Sequence, residues 1–174
     1  MRTRLFHIPI FIVLSILVIL PSCKKEELVL KNNLLYERGS DVPFTGREKD
    51  TINNKVIEYD VKDGYKHGEY ILYFENGNKE IQGQLDSNRN VGKWIYYFRD
   101  GKIESEGNFY SDQPDGKWIW NYPNGKRKEE GEYRNGVRIG NWIQYDDSGN
   151  VTLEHNYSLS DTLNDDSNIQ ESQK

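Results

Sequence analysis

Few side chains in this chain could do chemistry. Glu104 and Glu106, and Glu129 and Glu130, are carboxylate pairs of the kind that serve as acid and base in hydrolysis. Cys23 is the only thiol, and the histidines are His7, His67 and His155. None of these sets amounts to a site. Adjacent residues of a strand face opposite ways, so Glu129 and Glu130 cannot share a substrate. The pairs spaced by two share a face, but an open one with nothing to exclude water or shift a pKa. One cysteine makes no intramolecular disulfide and no thiolate metal site. Two histidines beyond the N-terminal segment are too few for a multi-histidine zinc site. No nucleophile elbow, P-loop or Gly-rich dinucleotide motif occurs. The chain is read as non-catalytic, with no metal and no cofactor.

Cys23 takes its meaning from its position. Residues 5–20 hold 13 apolar side chains out of 16, behind Arg2 and Arg4. That run is shorter than the ~20 residues of a spanning helix and reads as a signal peptide over 1–22. Leu20-Pro21-Ser22-Cys23 resembles a bacterial lipobox, in which the thiol receives diacylglycerol and becomes the new N-terminus. The partner implied is the lipid bilayer, through acylated Cys23. The three chains that such lipoproteins carry make a stable anchor where one would be marginal. Lys24-Lys25-Glu26-Glu27 resembles the signal that moves lipoproteins of Bacteroidota to the outer face of the outer membrane; a charged linker is the other reading. The expected location is the cell envelope, at the outer membrane, with the surface and periplasmic faces both open.

Composition narrows the fold. The chain has 174 residues, net charge −5, 15 glycines, 12 tyrosines and no alanine. Without Arg2 and Arg4, Lys+Arg falls from 23 to 21 against 28 Asp+Glu, a charge of −7. Such an acidic balance opposes nucleic-acid binding, which needs cations to displace counterions. The residue usage disfavours helix and favours strand.

The strongest pattern is a repeat. Rows of 24 beginning at Gly68, Gly92, Gly116 and Gly140 read GEYILYFENG, GKWIYYFRDG, GKWIWNYPNG and GNWIQYDDSG, without a gap. The third position is Tyr70, Trp94, Trp118, Trp142; the fourth is Ile71, Ile95, Ile119, Ile143. The tenth is Gly77, Gly101, Gly125, Gly149, and the sixteenth is Gly83, Gly107, Gly131, then His155.

Each row reads as a β-hairpin. Asn76-Gly77, Asp100-Gly101, Asn124-Gly125 and Ser148-Gly149 are expected as two-residue type I′ turns, with both φ angles positive. That register sets Tyr70 opposite Gly83, Trp94 opposite Gly107 and Trp118 opposite Gly131, each ring lying across its glycine. Trp142 faces His155, which marks the last row as an atypical cap. Alternation then puts Trp94, Tyr96, Phe98, Ile103 and Phe109 on one face, followed by Trp118, Trp120, Tyr122 and Tyr133. The other face carries the isoleucines, Tyr73, Tyr97 and Tyr145, and glutamates including Glu106 and Glu130, and is expected to meet water. Residues 23–35 read as a lipid-anchored polar tether. Residues 36–157 read as the repeat domain, with a degenerate start over 36–67. Residues 158–174 read as a disordered tail.

Tyr133-Arg134-Asn135-Gly136 followed by Gly140-x-Trp142-x-x-Tyr145 resembles the MORN-repeat family. It is most similar to the variant found in bacterial YwqK-type antitoxins, whose entry segment Pro43-Phe44-Thr45-Gly46 also resembles. Ordinary MORN repeats place a glycine three residues after the tryptophan, where this chain has Tyr73, Tyr97, Asn121 and Tyr145. The resemblance implies an all-β, elongated single-layer antiparallel sheet of tandem 24-residue hairpins. It also implies neutralisation of a partner toxin.

The expected function is a protein-interaction or scaffold module in the envelope. Most of Tyr70, Trp94, Trp118, Trp120 and Trp142 are read as rungs of a structural ladder, with contact borne by that face or by Tyr73, Tyr97 and Tyr145. Immunity against a toxin and glycan binding are the alternatives. Binding to anionic lipid is disfavoured by the glutamate row.

Overall fold

Residues 27–158 are described by a computed structural model. The expected signal peptide over 1–22, the expected lipidation site Cys23, residues 24–26 of the expected tether and the tail from 159 on lie outside the described residues.

The described residues form strands and turns and no helix. The strands are β1 (Leu28–Lys31), β2 (Leu34–Glu37), β3 (Gly46–Ile52), β4 (Lys55–Lys62), β5 (Tyr65–Tyr73), β6 (Lys79–Asp86), β7 (Arg89–Tyr97), β8 (Ile103–Tyr110), β9 (Gln113–Asn121), β10 (Arg127–Arg134), β11 (Val137–Tyr145) and β12 (Val151–Tyr157). β3 to β12 make one ten-stranded antiparallel sheet in which each strand pairs with its neighbours in the chain. This is the tandem-hairpin sheet that the 24-residue period predicts.

The register at the third position of each row is as expected. Tyr70 pairs with Gly83, Trp94 with Gly107, Trp118 with Gly131 and Trp142 with His155. The turns differ from the type I′ expectation. At Asn76-Gly77 and its three counterparts only the glycine has positive φ, 86° to 92°. The Gly77 N–H donates to the Phe74 carbonyl at 2.9 Å, and the Phe74 N–H donates to the Asn78 carbonyl at 2.8 Å. This is a three-residue loop closed by a left-handed glycine. The residue before the glycine is there for its side chain. Asn76 Oδ1 accepts the Asn78 N–H at 3.1 Å, Asp100 Oδ1 that of Lys102 at 3.1 Å, and Asn124 Oδ1 that of Lys126 at 2.9 Å.

The register survives because a second irregularity cancels the first. The loop holds one residue more than a two-residue turn. The return strand holds one more just beyond it, at Glu80, Glu104, Lys128 and Thr152, where the ladder shifts. Hairpin β3–β4 has neither insertion. It closes on Asn53-Asn54, with φ of 51° and 64°, and keeps one register throughout. Gly46 therefore precedes Gly68 by 22 residues, where later rows take 24. True two-residue turns, with both φ positive, join the hairpins at Asp63-Gly64, Ser87-Asn88, Ser111-Asp112 and Asn135-Gly136.

Two expectations are corrected. Ile103 does not join the Trp94 face: the bulge at Glu104 pairs it with Tyr97 and leaves it 37% exposed, and Ser105, opposite Tyr96, is buried instead. The described part of the segment expected as a polar tether, residues 27–35, is instead largely strand. β1 pairs with β2 through Asn32-Asn33, both with positive φ. Leu35 and Phe44 then pack on the buried cluster of Ile57, Tyr59 and Val61. The Leu35 N–H donates to the Gly64 carbonyl at 2.9 Å and the Gly64 N–H to the Phe44 carbonyl at 2.8 Å. This hairpin covers the end of the apolar face that would otherwise lie bare.

Candidate functional site

The apolar face is built around Trp94, Trp118 and Trp142, all buried. In a sheet without a second layer, a residue is buried by its own neighbours. Here the neighbour is a glycine, but not the one expected. Each indole lies over the glycine of the preceding hairpin, where a Cβ would overlap the ring: Trp94 on Gly83, Trp118 on Gly107, Trp142 on Gly131. The indole N–H then donates to the carbonyl of the next residue, Gln84 at 3.2 Å, Asn108 at 3.0 Å and Glu132 at 3.2 Å. Each tryptophan thereby ties one hairpin to the one before it. Trp142 obeys the rule that its pairing with His155 seemed to break. The row that departs is the first, where Tyr59 stands opposite Tyr70 in the place a glycine takes later.

The rings continue from row to row. Trp94, Phe109, Trp118, Tyr133, Trp142 and Tyr157 meet edge to face, with centroids 5.0–6.2 Å apart. Beside this spine runs a half-buried line of Leu72, Tyr96 and Trp120. Tyr96 leans on Trp118 at 6.4 Å and Trp120 on Trp142 at 5.8 Å. Tyr70, also half-buried, leans on Trp94 at 5.5 Å. At the far end the Arg138 guanidinium lies 3.9 Å from the Trp142 ring, pairs with Glu129 at 3.3 Å and donates to the Tyr157 hydroxyl at 3.4 Å. His155 fills the glycine position of the last row, so a further tryptophan has no seat there. Its ring packs on Tyr157 at 4.4 Å.

The opposite face is a lattice of ion pairs rather than an open row of acid. Lys93 pairs with Glu106 and Lys117 with Glu130, each at 2.8 Å. Arg127 joins Glu130 at 2.6 Å. At the other end Arg47 reaches Glu58, Asp60 and Glu69, and Lys49 reaches Glu58 at 2.9 Å. The bond from Lys117 holds the Glu130 carboxyl below its ordinary pKa against the effect of burial, helped by the Tyr145 hydroxyl. Lys49 and Arg47 do the same for Glu58.

The residues expected to bear contact thus divide. Tyr97 donates to Gln82 Oε1 at 3.3 Å and Tyr145 to Glu130 Oε1 at 2.9 Å. Tyr73 lines a shallow hollow with Lys49 and Glu58. All three are half-buried on the ion-pair face. Glu129 and Glu130 turn to opposite faces, toward Arg138 and Lys117. Both are engaged by cations, an arrangement that suits structural charge.

Sequence reasoning missed Tyr65 and Tyr110, the two aromatic residues among those described that are more than a third exposed, at 41% and 69%. Their signal lay in the rows. At their two positions the other rows carry Arg89, Gln113 and Val137, or Lys62, Asp86 and Arg134. An aromatic ring where the repeat does not ask for one is surplus to the ladder.

No curated protein matches the chain. The family model for the MORN repeat variant matches residues 66–86, 90–110, 114–135 and 138–158. The four matches start 24 residues apart, and each spans one three-residue glycine loop and most of the two strands it joins. The hairpins tied together by Trp94, Trp118 and Trp142 are therefore four consecutive MORN-variant repeats, which this chain carries over residues 66–158.

Proposed function

We propose that the protein is a non-catalytic envelope lipoprotein, anchored by acylated Cys23, whose MORN-variant sheet is a docking scaffold for a partner protein. The observation that carries this reading is the second line of apolar side chains, two of them aromatic. Leu72, Tyr96 and Trp120 sit beside the buried spine in fixed order across five strands, partly exposed, and Tyr96 and Trp120 each lean on a spine tryptophan. Rigid aromatic side chains on a rigid support lose little freedom on binding, the property that makes such rings interface anchors. The repeat itself supports the reading, since stacked repeats offer long surfaces for interaction.

The test is cross-linking on intact cells, then capture of the tagged protein and mass spectrometry. One partner in stoichiometric amount, lost in Tyr96→Ala with Trp120→Ala, is expected. A partner that is a toxin would select the immunity form of the same reading. Recovery of nothing above background would overturn the docking role.

A further inference from the structure

We infer that the cleft between Tyr65 and Tyr110, on the ion-pair face at the two-residue-turn side of the sheet, binds a short neutral oligosaccharide. The cleft has a volume of about 610 Å³ and includes Asp86, Arg89, Val91 and Ser111 among its walls. Tyr65 is on β5 and Tyr110 on β8, with β6 and β7 between them. Three strand spacings separate their backbones by roughly 14 Å across the sheet, and the ladder offsets them along it as well, with Tyr110 level with Glu69. The two aromatic residues of the described chain that are more than a third exposed therefore flank one hollow, across a span suited to a few linked sugars.

The floor supplies the polar half. Asp86 and Arg89 pair across β6 and β7 in the ladder, and both side chains are exposed. Arg89 donates to Ser111 Oγ at 2.9 Å. Asp86 Oδ1 accepts from Ser87 Oγ at 2.9 Å and lies 3.2 Å from His67 Nδ1. A guanidinium offers five donors and a carboxylate several acceptor positions. Asp86 meets the His67 ring and the Ser87 hydroxyl, and Arg89 meets the Ser111 hydroxyl, so both retain capacity for ligand. Their charges cancel, which suits a neutral ligand.

This combination favours a sugar over a peptide. A peptide that binds a sheet by strand addition needs a free edge, but β6 and β7 are paired on both sides. Recognition must come from side chains. Tyrosine rings present apolar faces to sugar C–H groups, and a donor fork beside a carboxylate matches vicinal hydroxyls. The ladder gives no reason for the two tyrosines: neither ring takes part in the spine, and neither is buried.

The test uses the tagged full chain in detergent on an array of neutral tri- to hexasaccharides of glucose, galactose, mannose and N-acetylglucosamine. The best hit is then titrated by calorimetry. Tyr65→Ala, Tyr110→Ala and Arg89→Met should each weaken binding about tenfold or more, which is about 1.4 kcal/mol. Tyr110→Phe should stay within about threefold, because it keeps the ring. All four variants should melt with the wild type, since the side chains are exposed. Absence of any neutral hit, or a hit indifferent to both tyrosine truncations, would overturn the assignment. So would a peptide from a display library that needs Tyr110 while every sugar fails. Partner capture by the ring line is scored separately, so either reading can fall alone.

Discussion

The indole of Trp118 lies directly on the backbone of Gly107, a residue of the hairpin before its own. Its N–H donates to the carbonyl of Asn108, the next residue, at 3.0 Å. One side chain thus supplies burial, a hydrogen bond and the order of two successive repeats. The same relationship holds for Trp94 and Trp142.

A methyl group at Gly107 must displace that ring. Gly107→Ala should cost about 3 kcal/mol, at the upper end for overpacking, and should red-shift tryptophan emission. Gly125→Ala adds no clash but forces a side chain to φ 87°, and should cost about 1–2 kcal/mol. Urea melts of the two variants measure the difference. Equal losses would refute the covering role of the indole.

If each hairpin docks on the last in the same way, whole repeats are interchangeable. Deleting residues 92–115 joins Val91 to Gly116 and should seat Trp118 on Gly83. The shortened protein should keep its β circular dichroism and unfold cooperatively at a lower temperature, as expected when stability sums over neighbours. Deleting 92–113 instead breaks the row length and should not fold.

Glu58 and Glu130 titrate below the ordinary carboxylate range when folded. The unfolded chain therefore binds the more protons at low pH, and stability rises with pH through that window. Their contribution should be complete above the unfolded value of about 4.3 and be lost as pH falls through the lowered folded value. Glu130→Gln should cost under about 1 kcal/mol at pH 7 and flatten the acid side of a melting-temperature profile. A profile unchanged by the substitution would contradict the role given to Lys117 and Arg127.

Cys23→Ser removes the only acyl acceptor on the lipoprotein reading. The variant should leave the membrane pellet for the soluble fraction. Its retention with the membrane would mean that something other than acylated Cys23 holds the protein there.

His155 occupies the position that is glycine in the preceding rows. Substituting glycine there loses the packing on Tyr157 and uncovers strand β12, and should cost about 1 kcal/mol by chemical melt. A stabilised His155→Gly variant would show that the imidazole does not cap the array.

The period, the hairpins and the pairing of Trp94 with Gly107 were legible in the sequence because they depend on residues within one row. Spacing by two and a turn signal are local, and 24 residues leave little freedom of register. The turn type was not legible. Asn-Gly suits a type I′ turn by propensity, and only the extra residue at Glu80 and its counterparts reveals the longer loop. The place of β1–β2 was hidden for a similar reason. Leu35 and Phe44 look like isolated apolar residues until Ile57, Tyr59 and Val61 are beneath them.

What the sequence by itself determined is therefore the repeating unit and its strand alternation. The tertiary structure decided which glycine each tryptophan covers. Every strand inside the sheet has two neighbours, and a row of residues does not say toward which of them a ring will lean. It also decided that Tyr65, Asp86, Arg89 and Tyr110 share one cleft. They lie on four strands, and only the sideways pairing of those strands brings them together.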